Sequence, residues 1–383
     1  MSKIKPCLIG GDCVDYKYMK RAIELSKLGI GYTYPNPLVG AVIIKNGKII
    51  GEGYHAFYGG PHAEINAFKN AIEDVKGATM YVTLEPCSHY GKTPPCAEAI
   101  VKNGIKEVVI GMKDPNELVS GRGIEILKQN GIKVTLGVCE EEIRNLNEIF
   151  IKYITSKLPF CILKTAMTLD GKISTVTGDS QWISNEISRQ YVHEIRHRVA
   201  GIMVGIGTVI QDDPSLTARL KDKKGGKGRD SSRIIVDTRA RIPLEAKVLN
   251  LDSDAKTIIA TTELASKSKI QALKEKGAEI IMTPIKNRGV DLSYLMKELG
   301  KMNIDSVLLE GGSTLNYSAL EEGIVDKVIS FISPKIIGGT DAKTPVGGEG
   351  KHSIKNAIML ENIKVSSFEE DIVIEGYIKG KVV

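Results

Sequence analysis

The sequence predicts two α/β domains in tandem. Segments rich in β-branched residues alternate with segments of helical period, the pattern of a sheet covered by helices. The alternation stops at Leu158-Pro159 and then restarts. The length of 383 residues suits two or three domains of ordinary size. No short-period repeat is visible, so the two halves are different domains.

In residues 16–31, Met19, Ala22, Ile23 and Leu25 with Leu28 share one helical face, and Gly29 and Gly31 end the helix. Residues 38–55 read as two strands about the Asn46-Gly47 turn. A helix over 62–73 precedes a β-branched and aromatic strand over 78–87 that ends at Cys87. A helix over 96–104, a strand over 106–112, a helix over 121–131 and a strand over 132–138 follow, and 140–157 is helical. The second series has a strand in 159–174, a helix over 185–199 and, in 201–214, a buried strand leading into a loop. Residues 221–232 are charged and Gly-rich, the composition of an exposed, mobile insertion. Strands over 233–238, 256–262 and 278–284 come next, with a helix over 268–277. Residues 305–323 read as strand, glycine turn and helix, and strands over 327–339 and 371–378 complete the series.

Hydrophobic residues make up 42% and charged residues 26%, as in soluble globular proteins. The net charge of +6 permits an anionic substrate without demanding nucleic acid, because Lys and Arg are interleaved with Asp and Glu. The first 22 residues lack an apolar signal region, and no apolar run approaches a membrane span, so a cytoplasmic location is expected. In a reducing compartment, close cysteines more often bind metal or do chemistry than form disulfides.

Cys87 and Cys96, with eight residues between them in PCSHYGKTPPC, could be a disulfide, a zinc site or unrelated thiols. Their surroundings favour zinc. His62-Ala63-Glu64 opens a helix, Pro86-Cys87 ends a strand and Pro94-Pro95-Cys96 begins the next helix. His62, Cys87 and Cys96 supply three metal ligands, and a catalytic zinc keeps its fourth position for water. Glu64 is not needed as a ligand and is the expected catalytic proton carrier.

This arrangement resembles the zinc-dependent nucleobase deaminases. It departs from them at the second cysteine, normally reached after two residues. The longer loop, with TYPNPLVGAVI (33–43) and GEGYHAFYGGPHAE (51–64), resembles one branch, the bifunctional deaminase/reductase family of riboflavin biosynthesis. The resemblance implies a cytidine-deaminase-like three-layer domain over 13–140 and places Asn36 and His55 in its substrate pocket. His89 and Lys92 would face the substrate from the cysteine loop; Lys92 suits a phosphate and His89 a donor at the rim. The loop then reads as a metal clamp with a substrate-reading insert. Cys7, Cys13, Cys139 and Cys161 have no such context and read as structural.

The second half carries GIGTV (205–209) and LEGGSTLN (309–316), each a strand entering a Gly-rich turn. Ile210 stands where G-x-G-x-x-G needs its third glycine, so a Rossmann fingerprint is not supported. With LKTAMTLDGKIS (163–174), GDSQWIS (178–184) and VGIGTVIQDDPSLTAR (204–219), these stretches resemble the reductase half of the same family. The resemblance implies a dihydrofolate-reductase-like α/β domain over 159–383, joined through a linker over 141–158, with NADPH as its cofactor beside one zinc ion in the first domain. It implies substrate contacts from Lys164, Ser180, Arg196, Leu216, Arg219 and Glu310. The two arginines suit a 5′-phosphate, Glu310 the sugar hydroxyls, and Lys164 a carbonyl or imine to be polarised. The dinucleotide would meet Ala166, Trp182, Thr208 and Asp212, with its pyrophosphate on Gly312, Ser313, Thr314, Leu315, Asn316, Tyr317 and Ser318. Thr238, with Arg239, would face the adenosine 2′-phosphate, and Asp170 would order its turn.

The activity implied is deamination of 2,5-diamino-6-ribosylamino-4(3H)-pyrimidinone 5′-phosphate followed by reduction of the ribosyl chain to ribityl, in a homo-oligomer. A nucleic-acid deaminase would need a basic, aromatic-rich face, and aromatics are only 5%. A dinucleotide-binding regulator with a dead deaminase half would require damaged positions, yet His62, Glu64, Cys87 and Cys96 are all present. A deaminase that had lost its reductase is opposed by the intact TAMTLDGKIS and EGGSTLN stretches.

Overall fold

The computed structural model describes residues 12–381 except 89, 91–93, 118 and 221–228, and of residues 12–14 the backbone alone. The chain divides into two compact units, one ending at Ser156 and one starting at Lys157.

The first unit runs α1 (Asp12–Lys27), β1 (Gly40–Lys45), β2 (Lys48–Tyr54), α2 (Ala63–Lys69), β3 (Thr79–Leu84), α3 (Cys96–Lys102), β4 (Glu107–Met112), α4 (Arg122–Gln129), β5 (Lys133–Leu136), α5 (Glu140–Leu146) and α6 (Glu148–Ser156). Its described sheet has the order β2-β1-β3-β4-β5. β1 is antiparallel to β2 and β3, whereas β3, β4 and β5 are parallel. Asn46 and Gly47 both take positive φ, 51° and 74°, the two-residue turn whose twist matches a hairpin. Ile43, Met80 and Ile110 on one sheet face are buried against Ala67, Ile100 and Leu127 of the helices. On the other face a Cβ added at Gly111 would meet Ile143 at 2.1 Å and Met19 at 3.3 Å, so α1 and α5 close directly on the sheet. The result is three layers, helix on sheet on helix.

The stretch expected to be helical over 140–157 forms α5 and α6, which belong to the first unit rather than to a separate linker over 141–158. Asn147, between them, accepts the Leu38 N–H at 2.8 Å and donates to the Leu38 carbonyl at 3.1 Å, which ties the helix pair to the strand entrance.

The second unit runs β6 (Phe160–Thr168), α7 (Glu186–Arg198), β7 (Gly201–Gly205), α8 (Ile206–Asp212), β8 (Ser232–Val236), β9 (Thr257–Thr261), α9 (Lys267–Glu275), β10 (Glu279–Met282), β11 (Ile285–Lys286), β12 (Gly289–Val290), α10 (Leu292–Lys301), β13 (Ser306–Leu309), α11 (Ser313–Glu321), β14 (Lys327–Ser333), β15 (Leu360–Phe368) and β16 (Asp371–Ile378). The described sheet has the order β10-β9-β8-β7-β13-β6-β14-β16-β15. It is parallel from β10 to β14 and antiparallel across β16 and β15. The chain lays β7 to β10 outward on one side of β6 and later inserts β13 between β6 and β7. Chain direction therefore diverges around β13, and the crevice beyond the carboxyl ends of these strands is where open α/β sheets bind ligands.

The stretch after β7, expected as a loop, is the helix α8. Gly207 within it, the cap Gly205 and the Thr208-Val209-Ile210 run are weak helix formers and hid the period. The β11-β12 hairpin, α10 and β15 were not expected. β15 gives no alternation because its middle residues Asn362 to Val365 are all exposed. The predicted mobile insertion lies largely outside the described residues.

Candidate active sites

His62 is the cap residue before α2, and Cys96 is the first residue of α3 after the cap Pro95. β3 stops at Leu84, so Cys87 lies on a short extension beyond the strand rather than at its end. Two helix starts and one strand end thus converge. His62 Nδ1 lies 3.5 Å from Cys87 Sγ and 3.3 Å from Cys96 Sγ, and the three ligand atoms all lie within 4.8 Å of one another. A tetrahedral zinc with metal–sulfur near 2.3 Å and metal–nitrogen near 2.1 Å needs ligand–ligand edges of roughly 3.6–3.8 Å. The donor set and spacing therefore fit zinc. The Cys96 N–H also points at Cys87 Sγ, 3.3 Å away. Hydrogen bonding from Cys96, opposed by burial and helped by His62, draws the Cys87 thiol well below its ordinary value. The neighbouring sulfur pushes Cys96 the other way. Hydrogen bonding to Cys87 raises His62 to about 8.

Glu64, in the first turn of α2, is only 3% exposed. Burial, reinforced by the Cys87 sulfur, pushes its carboxyl up to about 7. His55 is equally buried and its ring meets His62 edge-on, 5.6 Å between centroids. Its Nδ1 donates to the Pro61 carbonyl at 3.1 Å, which leaves Nε2 to accept from the Asn36 amide at 3.1 Å. Burial lowers its pKa and keeps this neutral tautomer. Asn36 and His55 are thus brought beside the ligand cluster. His89 and Lys92 lie outside the described residues.

In the second unit a long cleft opens at the carboxyl ends of β6, β7, β8 and β13. Its wall includes Lys164, Ala166, Ser180, Trp182, Arg196, Thr208, Asp212, Arg219, Thr238 and Glu310, together with Gly312 to Asn316 and Ser318. Three expected members are not on it. Leu216 is buried, 3% exposed, in a left-handed backbone conformation (φ 50°). Tyr317 turns its ring onto Gly348, where an added Cβ would come within 2.1 Å of it. Both residues have apolar bodies that fill space behind the wall. Arg239 is exposed and off the wall as well.

At the floor Arg196 and Glu310 form a two-point ion pair, Nε to Oε1 at 2.6 Å and Nη2 to Oε2 at 2.9 Å, and Nη1 donates to the Thr217 carbonyl at 3.2 Å. Arg196 is therefore committed to Glu310, and Arg219 keeps the freer guanidinium. Burial lowers the Lys164 pKa against the pull of Glu310, and its Nζ sits 5.7 Å from the Phe331 ring centre. Burial also drives His193 down to about 4, with Arg196 and Arg219 adding to the effect. Above the floor, Arg189 stacks on the Trp182 ring at 4.7 Å. Asp170 orders its turn as expected, accepting from Thr168 Oγ1 at 2.6 Å and from Gly338 N–H at 2.7 Å.

Sequence reasoning missed the loop after β14. Lys343, Pro345, Gly347 and Gly348 line the cleft, Gly347 N–H donates to the Ser313 carbonyl at 3.1 Å, and Asn316 donates to the Pro345 carbonyl at 2.8 Å. Its glycine pairs in GGTDAKTPVGGEG were the available signal. The β11-β12 hairpin, too short for a strand pattern, contributes Lys286 to Val290.

Residues 13–112 match the cytidine and deoxycytidylate deaminase zinc-binding region, and residues 159–374 match the RibD C-terminal domain. The riboflavin biosynthesis protein RibD of Actinobacillus pleuropneumoniae is 47% identical over 94% of this chain and 94% of its own length. That of Aquifex aeolicus is 45% identical over 94% and 98%. Among solved structures, RibD of Acinetobacter baumannii superposes with a TM-score of 0.86 at 36% identity, covering 96% of this chain and 99% of the other. A diaminohydroxyphosphoribosylaminopyrimidine deaminase/5-amino-6-(5-phosphoribosylamino)uracil reductase of Thermotoga maritima gives 0.83 at 39% identity, covering 96% and 100%.

Proposed function

The chain belongs to the RibD family, and on that premise we propose that its two sites carry out consecutive steps on one phosphorylated pyrimidine. It is a bifunctional deaminase and reductase of riboflavin biosynthesis. The first site hydrolyses the amine of 2,5-diamino-6-ribosylamino-4(3H)-pyrimidinone 5′-phosphate, and the second reduces the ribosyl chain, giving 5-amino-6-ribitylaminouracil 5′-phosphate. The carrying observation is the convergence of His62, Cys87 and Cys96 within 4.8 Å beside the buried Glu64.

Zinc held by those three residues supplies Lewis-acid activation of water. Glu64 takes the proton from the attacking water and returns it to the departing ammonia. Buried beside the ligand cluster, the carboxyl is placed to hold the proton between the two transfers. His55, neutral and fixed by Pro61, presents Asn36 to the pyrimidine. Residues His89 and Lys92 would receive the rim and phosphate of the substrate.

In the second site NADPH supplies the hydride. The N–H groups at the start of α11 would hold its pyrophosphate. Lys164, held beside Glu310, polarises the sugar carbonyl or imine, while Ser180 and Arg219 take the phosphate end. The Arg196-Glu310 fork fixes the carboxylate that meets the sugar hydroxyls. No helix among the described residues is long and apolar enough to cross a membrane, and we place the enzyme in the cytoplasm as a homo-oligomer.

The test is to incubate the purified chain with the diaminopyrimidinone phosphate and follow ammonia release and NADPH oxidation separately, with metal analysis. The proposal expects both signals, ammonia first, and about one zinc per chain. A metal-free protein releasing ammonia at full rate contradicts it.

A further inference from the structure

We propose that His193 is a positioning residue of the reducing site: its ring holds the main chain at Arg219 and so aims that guanidinium at the phosphate end of the substrate. The role rests on Arg219 taking the substrate phosphate. Residues 213–220, between α8 and β8, belong to no helix or strand. Each residue from Leu216 to Arg219 is fixed instead by a tie of its own. Leu216 is buried behind the cleft wall. The Thr217 carbonyl accepts from Arg196 Nη1 at 3.2 Å, and the Ala218 N–H donates to Asp230 Oδ1 at 3.3 Å. The Arg219 N–H donates to His193 Nδ1 at 3.2 Å, the hydrogen bond that holds its main chain among the described residues. His193 and Arg196 stand three residues apart on α7, so one helix face carries both ties. That helix is itself anchored. Asp371 accepts from the Asn185 N–H at 2.8 Å and from the Ser188 hydroxyl at 2.6 Å, and Tyr191 stacks on Phe368 with 5.0 Å between ring centres.

The chemistry of the acceptor fits this role. Burial first, then the charges of Arg196 and Arg219, drives the His193 pKa down to about 4 against the pull of Glu310 and the Thr217 carbonyl. The ring is therefore neutral near pH 7, with Nδ1 free to accept and the proton on Nε2. A carboxylate in its place would accept the same N–H, but it would also draw the Arg219 guanidinium into an ion pair, as Glu310 draws Arg196. A lysine ammonium has no lone pair to offer and would add a third positive charge beside the two arginines. A neutral imidazole fixes the backbone and leaves the charge of Arg219 for the ligand. His193 and Arg219 both line the cleft, so the tie lies at the site it serves.

The test is steady-state reduction of the deaminated intermediate and of its dephosphorylated counterpart, followed by NADPH oxidation, in His193→Ala, His193→Asn, His193→Gln and Arg219→Ala. The Asn amide oxygen occupies the place of Nδ1, whereas the Gln amide reaches the place of Nε2. His193→Ala is expected to raise KM for the phosphorylated substrate about 10-fold with kcat within about threefold, and to leave kcat/KM for the dephosphorylated one within about threefold. His193→Asn should bring KM back to within about threefold of wild type, and His193→Gln should not. NADPH affinity, read from the fluorescence of Trp182, the single tryptophan of the chain, should hold in all three histidine variants and shows that the unit is folded. Equal losses on both substrates, a fall in kcat with KM unchanged, or an Asn variant no better than Ala overturns the assignment. An Arg219→Ala variant that loses as much on the dephosphorylated substrate removes the phosphate reading of Arg219, and with it this inference.

Discussion

Glu310 shows how one carboxylate organises the reducing site. Burial alone would raise its pKa, but Arg196, with Lys164 and His193, more than offsets this and holds it at about 2 against an ordinary 4.5. A depressed acid stabilises the fold in full above the unfolded value and loses that contribution as pH falls through the folded one. Acid unfolding of the second unit, followed by Trp182 fluorescence, should therefore steepen between about pH 4.5 and 2. In Glu310→Gln that slope should flatten, the unit should be less stable at pH 7 because Arg196 and Lys164 remain buried without a counter-charge, and reduction should fall at least about 100-fold. The zinc ligands and Glu64 were legible because each lies close to a helix start or a strand end that proline or sequence period marks. The Arg196-Glu310 pair was not, because its partners are 114 residues apart and meet only through sheet order. Leu216 and Tyr317 carried no sequence signal that their side chains point behind the wall.

Element packing sets the strand end from which Cys87 hangs. Glu85 is buried, and its carboxylate accepts four backbone N–H groups, from Asp114 and Gly121 on one oxygen and Gly123 and Ile124 on the other. It thereby fastens the start of α4 to the residue two before the ligand. Gly123 lies so close that an added Cβ would stand 2.0 Å from the Pro86 carbonyl oxygen. Gly123→Ala should cost about 1–3 kcal/mol of first-unit stability and displace Pro86-Cys87. Thermal unfolding and zinc retention during dialysis check this, with reduction by the second unit unchanged. Elements with strong punctuation, such as the Asn46-Gly47 hairpin, were readable from sequence. α8 was not, since Gly205 and Gly207 signal a turn and only its place after β7 makes it a helix.

At the scale of the whole chain, the two series of strands and helices seen in the sequence became two main sheets of different construction, beside the β11-β12 pair. Five strands carry the zinc residues, and nine carry a cleft beside the inserted β13. The described chemistry of each step lies within one unit. Removing zinc with a chelator should therefore abolish ammonia release while reduction of the deaminated intermediate proceeds, measured as NADPH oxidation on the two substrates separately. The same logic gives the most direct test of the account. Glu64→Gln keeps the ligands and the volume of the side chain but removes the proton carrier. Ammonia release from the diaminopyrimidinone phosphate should fall at least about 1,000-fold, with zinc content and reduction of the pre-deaminated intermediate intact. Ammonia release close to wild type in a zinc-loaded Glu64→Gln chain would contradict it.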